Sequence, residues 1–279
     1  MAYISYKDVP LYFGAENTVN LPTSPFYNRA YCQQVQLNYT PNISPARILG
    51  TTPNADNFNL SGPPNASLSF TAYAENSMRP TRFTGDVGNL GTTFRIGDDV
   101  SGISGSGAFL TSYSYTLTPY SPVLVQYDFA IYSPLTISNA GGKIAAESTD
   151  IIGDVDFSDY GHGAYSTFGG TPLNDISVFE SIQYQYSANR LPVYEIGSFY
   201  PSAVELLTEE HSVQVQGDNI QALVPMTGSN PGNIEIRIKD SVGSTEFSMD
   251  ISGRITAENI SVSAGDLARG SITITELLK

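Results

Sequence analysis

Two histidines, a single cysteine and a run of aspartates are the side chains through which this sequence could do chemistry. His162 lies in YGHGAY and His211 in EEHS, a loop and a turn by composition, and both read as ordinary surface histidines. A serine, a histidine and an aspartate make a catalytic triad only where an elbow or a fixed spacing positions them, and no such motif accompanies either ring. Asp150, Asp154, Asp156 and Asp159 could offer carboxylate oxygens to a calcium ion, but their spacing matches no established loop. Solvated charge on a linker is the plainer reading. The run GISGSG at 102–107 superficially resembles a phosphate-cradling loop but has neither the lysine nor a following helix, so it reads as a flexible tip. Cys32 has no sequence neighbour that would lower its pKa, and a packed or semi-exposed free thiol is expected. The chain is therefore expected to hold no catalytic residue, metal ligand or cofactor site, and not to be an enzyme.

The elements that would position any site are announced by a repetition. Residues 35–50, VQLNYTPNISPARILG, and 182–197, IQYQYSANRLPVYEIG, match without a gap: Gln36 meets Gln183, Tyr39 meets Tyr186, Asn42 meets Asn189, Pro45 meets Pro192 and Gly50 meets Gly197. Each copy alternates apolar and polar residues, breaks at Asn and Pro, then resumes, which reads as two half-buried strands around a turn. Further matches follow in order. Ser67, Leu68, Ser69 and Phe70 fall on Ser212, Val213, Gln214 and Val215; Phe94, Arg95, Ile96 and Asp98 fall on Ile236, Arg237, Ile238 and Asp240. Tyr115, Leu117, Tyr127 and Phe129 fall on Ile260, Val262, Ile272 and Ile274. The sequence reads as a tandem duplication, with a first β domain at 1–135, a glycine-rich acidic linker or excursion at 136–170 and a second β domain at 171–279.

Composition agrees with an all-β chain. Charged residues make up 14% of the 279, whereas Gly, Pro, Ser, Thr, Asn and Tyr are abundant and the apolar runs are short. A short helix is expected at most around Lys143 to Ser148. One cysteine permits no intramolecular disulfide, so packing must hold the fold. The N-terminus MAYISYKDVPLYFG lacks the pattern of a secretory signal, and no run of 18 apolar residues occurs. The expectation is a soluble, unprocessed chain without a membrane anchor, made in a cytoplasm.

Charge narrows the partners. The formal net charge is −14, and residues 171–279 carry 14 acidic against 6 basic side chains. Gripping nucleic acid through its phosphates requires clustered Lys and Arg, which are missing. The 18 tyrosines and 13 phenylalanines could form a sugar platform, but tryptophan is absent, and core or subunit-interface aromatics account for them more simply.

The succession SIQYQYSANRLPVYEIG, EEHSVQVQGDN and MDISGRITAENISVSAGDLARGSITITELL, with YKDVPLYFG and QLNYTPNISPARILG before it, resembles the virion structural proteins of tailed bacteriophages, most closely the tail-tube type. The resemblance implies two tandem tail-tube-like β-sandwich or split-barrel domains, each with at most one short helix. It implies a virion tail protein that self-assembles into stacked rings, with two copies per chain giving a trimer of pseudo-sixfold symmetry. Its partners would be itself, then tape measure, baseplate or sheath proteins, with DNA as non-specific passing cargo along an acidic channel. A baseplate hub, tail terminator or other connector is the alternative within that class; a capsid decoration protein or a carbohydrate- or receptor-binding β module is the second. Residues 15–29, 51–66, 85–107 and 136–170, long and poor in core positions, are the expected ring-to-ring contacts. No role follows for Cys32 or for Asp150 to Asp159.

Overall fold

The computed structural model of the chain describes residues 11–13, 28–30, 32–45, 58–60, 62–73, 91–97, 102–118, 123–138, 167–168, 171–172, 179–218, 231–239, 245–264 and 268–277. These residues form strands and their connections, with no helix among them. Short strands β1 (Leu11–Phe13) and β2 (Asn28–Ala30) precede β3 (Cys32–Thr40), β4 (Ile43–Pro45), β5 (Phe58–Leu60) and β6 (Asn65–Tyr73). Next come β7 (Thr92–Gly97), the long β8 (Gly102–Leu117), β9 (Leu124–Ile131) and β10 (Leu135–Ser138). A small pair, β11 (Thr167–Phe168) and β12 (Thr171–Pro172), leads to β13 (Phe179–Val193), β14 (Ala203–Gly217), β15 (Pro231–Lys239), β16 (Thr245–Ser261) and β17 (Arg269–Leu277). Thirteen strands make one sheet, while β4 pairs β5 and β11 pairs β12 separately.

Every ladder is antiparallel, and one pairing order occurs in two places. Along residues 32–131 the order is β3-β6-β9-β8-β7. Along residues 179–277 it is β13-β14-β17-β16-β15. Registers correspond as well: Leu37 faces Leu68 and Leu68 faces Phe129, as Tyr184 faces Val213 and Val213 faces Ile274. β8 bulges against β9 between Leu110 and Ser112, and β16 bulges against β17 between Ile255 and Ala257. The alignment that puts Tyr115 on Ile260 puts these two bulges on the same position.

Period-two alternation drives this packing, because successive side chains on a strand point to opposite faces. Leu68, Phe70 and Ala72 of β6, Val125, Tyr127, Phe129 and Ile131 of β9, Val213 and Val215 of β14, and Ile272 and Ile274 of β17 are all buried in one continuous core. Phe70 stacks on Tyr127 with ring centroids 4.9 Å apart, and Phe13 of β1 lies 5.2 Å from Phe70 and 5.5 Å from Phe129.

Several local expectations differ from the fold. Residues 102–107 are the first third of β8, paired with β7 on one side and β10 on the other, and not a flexible tip. Their glycines allow close packing: a Cβ on Gly105 would sit 2.8 Å from the Phe94 ring, and Gly107 takes φ 73° where the strand bends past Ser133. β13 runs unbroken through Asn189 and Pro192, shifting register by a bulge between Asn189 and Arg190, and turns only at 194–202. There Gly197 adopts φ 92° and the Ser202 amide donates to the Val193 carbonyl at 2.8 Å. β8 has parted from β13 by Pro192, which has no described strand on that side, as at a sheet edge, the place where a sheet tolerates proline. In the matching stretch β3 ends at Thr40 and Ile43–Pro45 joins a different sheet. β10 spans the boundary expected at residue 135. The stretch Lys143 to Ser148, the aspartates 150 to 159 and His162 lie outside the described residues, as does most of 15–29 and 136–170.

Candidate functional site: a tyrosine seam and two open strand edges

The two sets of strands meet along one ladder, β8 with β13. Leu117 to Ser112 pair in turn with Ile182 to Ser187, so Tyr115 faces Tyr184 and Tyr113 faces Tyr186. The sequences SYSYTL and IQYQYS alternate aromatic and small polar residues, which puts every tyrosine of the ladder on the buried face and every serine, threonine and glutamine on the other. Tyr113 stacks on Tyr184 at 5.3 Å and on Tyr186 at 5.1 Å, and Tyr115 stacks on Tyr184 at 5.1 Å. Tilted or offset stacks of this kind add about 0.5–1.5 kcal/mol per pair beyond burial.

Hydroxyls buried in such a seam need partners. Tyr186 donates to Oε1 of Glu209 on β14 at 2.7 Å, and Tyr184 shares a short hydrogen bond with Nδ1 of His211. Burial pushes the hydroxyl pKa of Tyr113, Tyr115, Tyr184 and Tyr186 well above the ordinary tyrosine value. That burial favours the protonated phenols, which serve here as hydrogen-bonding and packing groups.

His211 is mid-strand in β14, opposite Tyr186, and not in a turn. Glu210 and Ser212 lie on the outer face, while Glu209 and His211 bond the tyrosine hydroxyls of the seam, so all four residues of EEHS are polar and the stretch reads as a turn. The ring stands edge-on to Tyr186 at 5.1 Å and to Tyr184 at 5.9 Å. Burial lowers its pKa, opposed by the nearby Glu209 and Glu276 carboxylates. Arg190 completes the joint: its Nε donates to the Leu110 carbonyl at 3.0 Å, and its guanidinium lies 5.3 Å from the Phe109 ring centroid. Of the described residues that were singled out for chemistry, only His211 is part of this seam. Cys32 is a half-buried thiol at the start of β3, and Ser104 of the glycine-rich run bonds to the Thr136 carbonyl at 3.4 Å across β8 and β10. Among the described residues no group of His, Cys, Asp and Glu side chains is placed to hold a metal ion. Tyr113, Glu209 and Arg190 were not singled out from sequence, and Tyr184 and Tyr186 only as alternating apolar positions of the repeat; the alternating aromatics were the available signal.

Two of the sheet edges that have no described partner belong to β3 and β16. β3 pairs with β6 on one edge and with no described strand on the other. β16 pairs with β15 up to Arg254; from Ala257 to Ser261 it keeps β17 on one edge, and the edge on the β15 side has no described strand. Apolar side chains stand exposed along both, with Tyr39 at 47%, Ile260 at 46% and Val262 at 69%.

No protein-family model matches the chain, and no curated protein does. Among solved structures it is similar to the SPP1 tail tube determined by solid-state NMR and cryo-EM, at 15% identity and a TM-score of 0.34, over 53% of this chain and 88% of that one.

Proposed function

We propose that the chain is a structural protein of a phage tail, a tube subunit built from two tandem copies of one β domain, which self-assembles into rings. The observation that carries this reading is the recurrence of β3-β6-β9-β8-β7 as β13-β14-β17-β16-β15 with its bulge in the same position. Two copies joined edge to edge through β8 and β13 are the first step of a ring, and three such chains supply six copies. Open sheet edges are an aggregation hazard in an isolated subunit, and closure against neighbours removes it. Stacked rings would enclose a channel. With a net charge of −14, its wall would not hold duplex DNA, which carries one negative charge per about 1.7 Å. Tape measure, baseplate or sheath proteins would be its partners in the virion.

Negative-stain electron microscopy of the purified protein, averaged down the particle axis, tests this. Tubes or stacked rings with three subunits and a sixfold outline are expected. Isolated rings that never stack would favour a hub, terminator or other connector. A chain that stays monomeric at high concentration would overturn the reading in favour of a decoration or binding module.

A further inference from the structure

The joint inside the chain is also a template for the joint between chains. Within one chain the last residues of β8 pair antiparallel with β13, on the edge of β8 that faces away from β9 and that β7 occupies further back along the strand. The corresponding edge of β16 is the one beyond Arg254, and the strand corresponding to β13 is β3; among the described residues no strand pairs with either of these edges. A chain thus ends in the edge that its own β8 presents, and begins with the edge that its own β13 presents. We propose that β16 of one copy pairs with β3 of the next in the register of the internal joint, with Val262 opposite Val35, Ile260 opposite Leu37 and Glu258 opposite Tyr39. This rests on the self-assembling reading above and adds to it the contact surfaces and the register.

Side chains on both edges fit the pairing. Ladder partners in an antiparallel sheet point to the same face, so Val35, Leu37 and Tyr39 would carry on the buried face of Ile182, Tyr184 and Tyr186. Val35 and Leu37 already pack against the core from its margin, and the exposed Ile260 and Val262 would cover them. Asn38, Asn259 and Ser261 fall on the outer face, where all three are exposed. The carboxylate of Glu258 supplies a second, independent sign. Its Oε1 is buried and has no hydrogen-bond partner among the described residues, a costly state for a polar oxygen. The register sets opposite it the exposed Tyr39, whose phenol is also within electrostatic reach of Tyr200. A Tyr39 hydroxyl donating to Glu258 would satisfy that oxygen, as Tyr186 satisfies Glu209 inside the chain. The second copy is thereby recognised by backbone hydrogen bonds, an apolar strip and one phenol-to-carboxylate bond.

Disulfide trapping tests the register. Directly opposed residues in an antiparallel ladder have Cα atoms about 4.5–5.5 Å apart, within disulfide reach. Asn38→Cys combined with Asn259→Cys, both exposed, is expected to give covalent oligomers ending in a closed species on oxidation of the assembled protein. A mixture of the two single variants should give dimers only. The displaced pair Gln36→Cys with Ala257→Cys, four residues out of register and so about 13 Å apart along the strand, should not cross-link. Native Cys32 is common to all of them. Amides at 35–40 and 257–261 of the unaltered protein should gain protection from hydrogen exchange on assembly, and Tyr39→Phe should raise the concentration needed to assemble about tenfold. Rings or tubes that form without the Asn38–Asn259 cross-link, or in which the displaced pair links equally well, or whose amides at these edges stay unprotected, overturn this pairing and leave the tube reading standing. A protein that never assembles overturns both.

Discussion

Tyr113 of β8 stands directly opposite Tyr186 of β13, and the two rings stack 5.1 Å apart at an interplanar angle of 25°. Tyr113 also stacks on Tyr184 and Tyr127, so one ring touches aromatic neighbours on both flanking strands. It is one of the side chains through which residues before and after the 139–166 stretch share a core. Replacing it with alanine removes those contacts and leaves a cavity in a sheet that cannot collapse from both sides at once. Tyr113→Ala should cost about 3–5 kcal/mol, by analogy with large aromatic truncations, and Tyr113→Phe about 1 kcal/mol for the lost hydroxyl. Urea unfolding followed by tyrosine fluorescence reads both; an unchanged midpoint for the alanine variant would mean that the joint carries no stability.

Arg190 holds the same joint from its far end. The hydrogen bond from Nε to the Leu110 carbonyl reaches across to β8 at the residue where that strand bulges, while the guanidinium covers Phe109. Lysine keeps the charge but cannot give a directed Nε–H together with a planar face. Arg190→Lys should therefore lose much of what Arg190→Ala loses, about 1–3 kcal/mol in each case. Equal stability of the lysine variant and the parent would show that charge alone suffices there.

Much of this was legible in the sequence because the buried faces obey period two. Leu68 and Phe70, Tyr127 and Phe129, and Ile272 and Ile274 stand out as alternating pairs, and all are buried. Connections rich in proline and glycine mark where β8 turns into β9 and β16 into β17. The failures share a physical cause, namely that local chemistry was outweighed by pairing. GISGSG looks mobile until β7 and β10 flank it on both edges. EEHS looks like a turn until β13 and β17 flank it. The seam itself was illegible for another reason: alternation tells that Tyr113 and Tyr186 share faces with their own strand neighbours, but not that β8 and β13, some seventy residues apart, are partners.

Gly253 offers a test of close approach between strands. In β16 it lies so near β17 that a Cβ would collide with the Thr275 carbonyl oxygen, a backbone atom that cannot swing away. The absence of a side chain is what lets the β16–β17 ladder start at Arg254 and Thr275. Gly253→Ala should destabilise by about 1–3 kcal/mol, as overpacking does, despite alanine's lower cost in backbone entropy. Thermal unfolding decides it, since a gain in melting temperature would mean that the strands separate freely at this point.

His211 makes the seam sensitive to acid. Its ring is neutral when folded because burial disfavours the charged form, an effect that Glu209 and Glu276 offset only in part. Nδ1 is engaged with Tyr184, and Nε2 is buried without a partner among the described residues, so the charged ring would carry an Nε2–H with nothing described to accept it. With the folded-state pKa below the unfolded value of about 6.5, the unfolded chain binds more protons across that interval. Stability is therefore fully present above pH ~7 and is lost as pH falls from about 6.5 through the folded value. His211→Gln can still bond the Tyr184 hydroxyl but cannot titrate. The parent protein should lose more melting temperature than this variant between pH 7.5 and 5.5, by a few degrees, since about 1 kcal/mol shifts a protein of this size by roughly 2–4 °C. Parallel curves for the two proteins would place the acid sensitivity elsewhere, in the carboxylates or in His162.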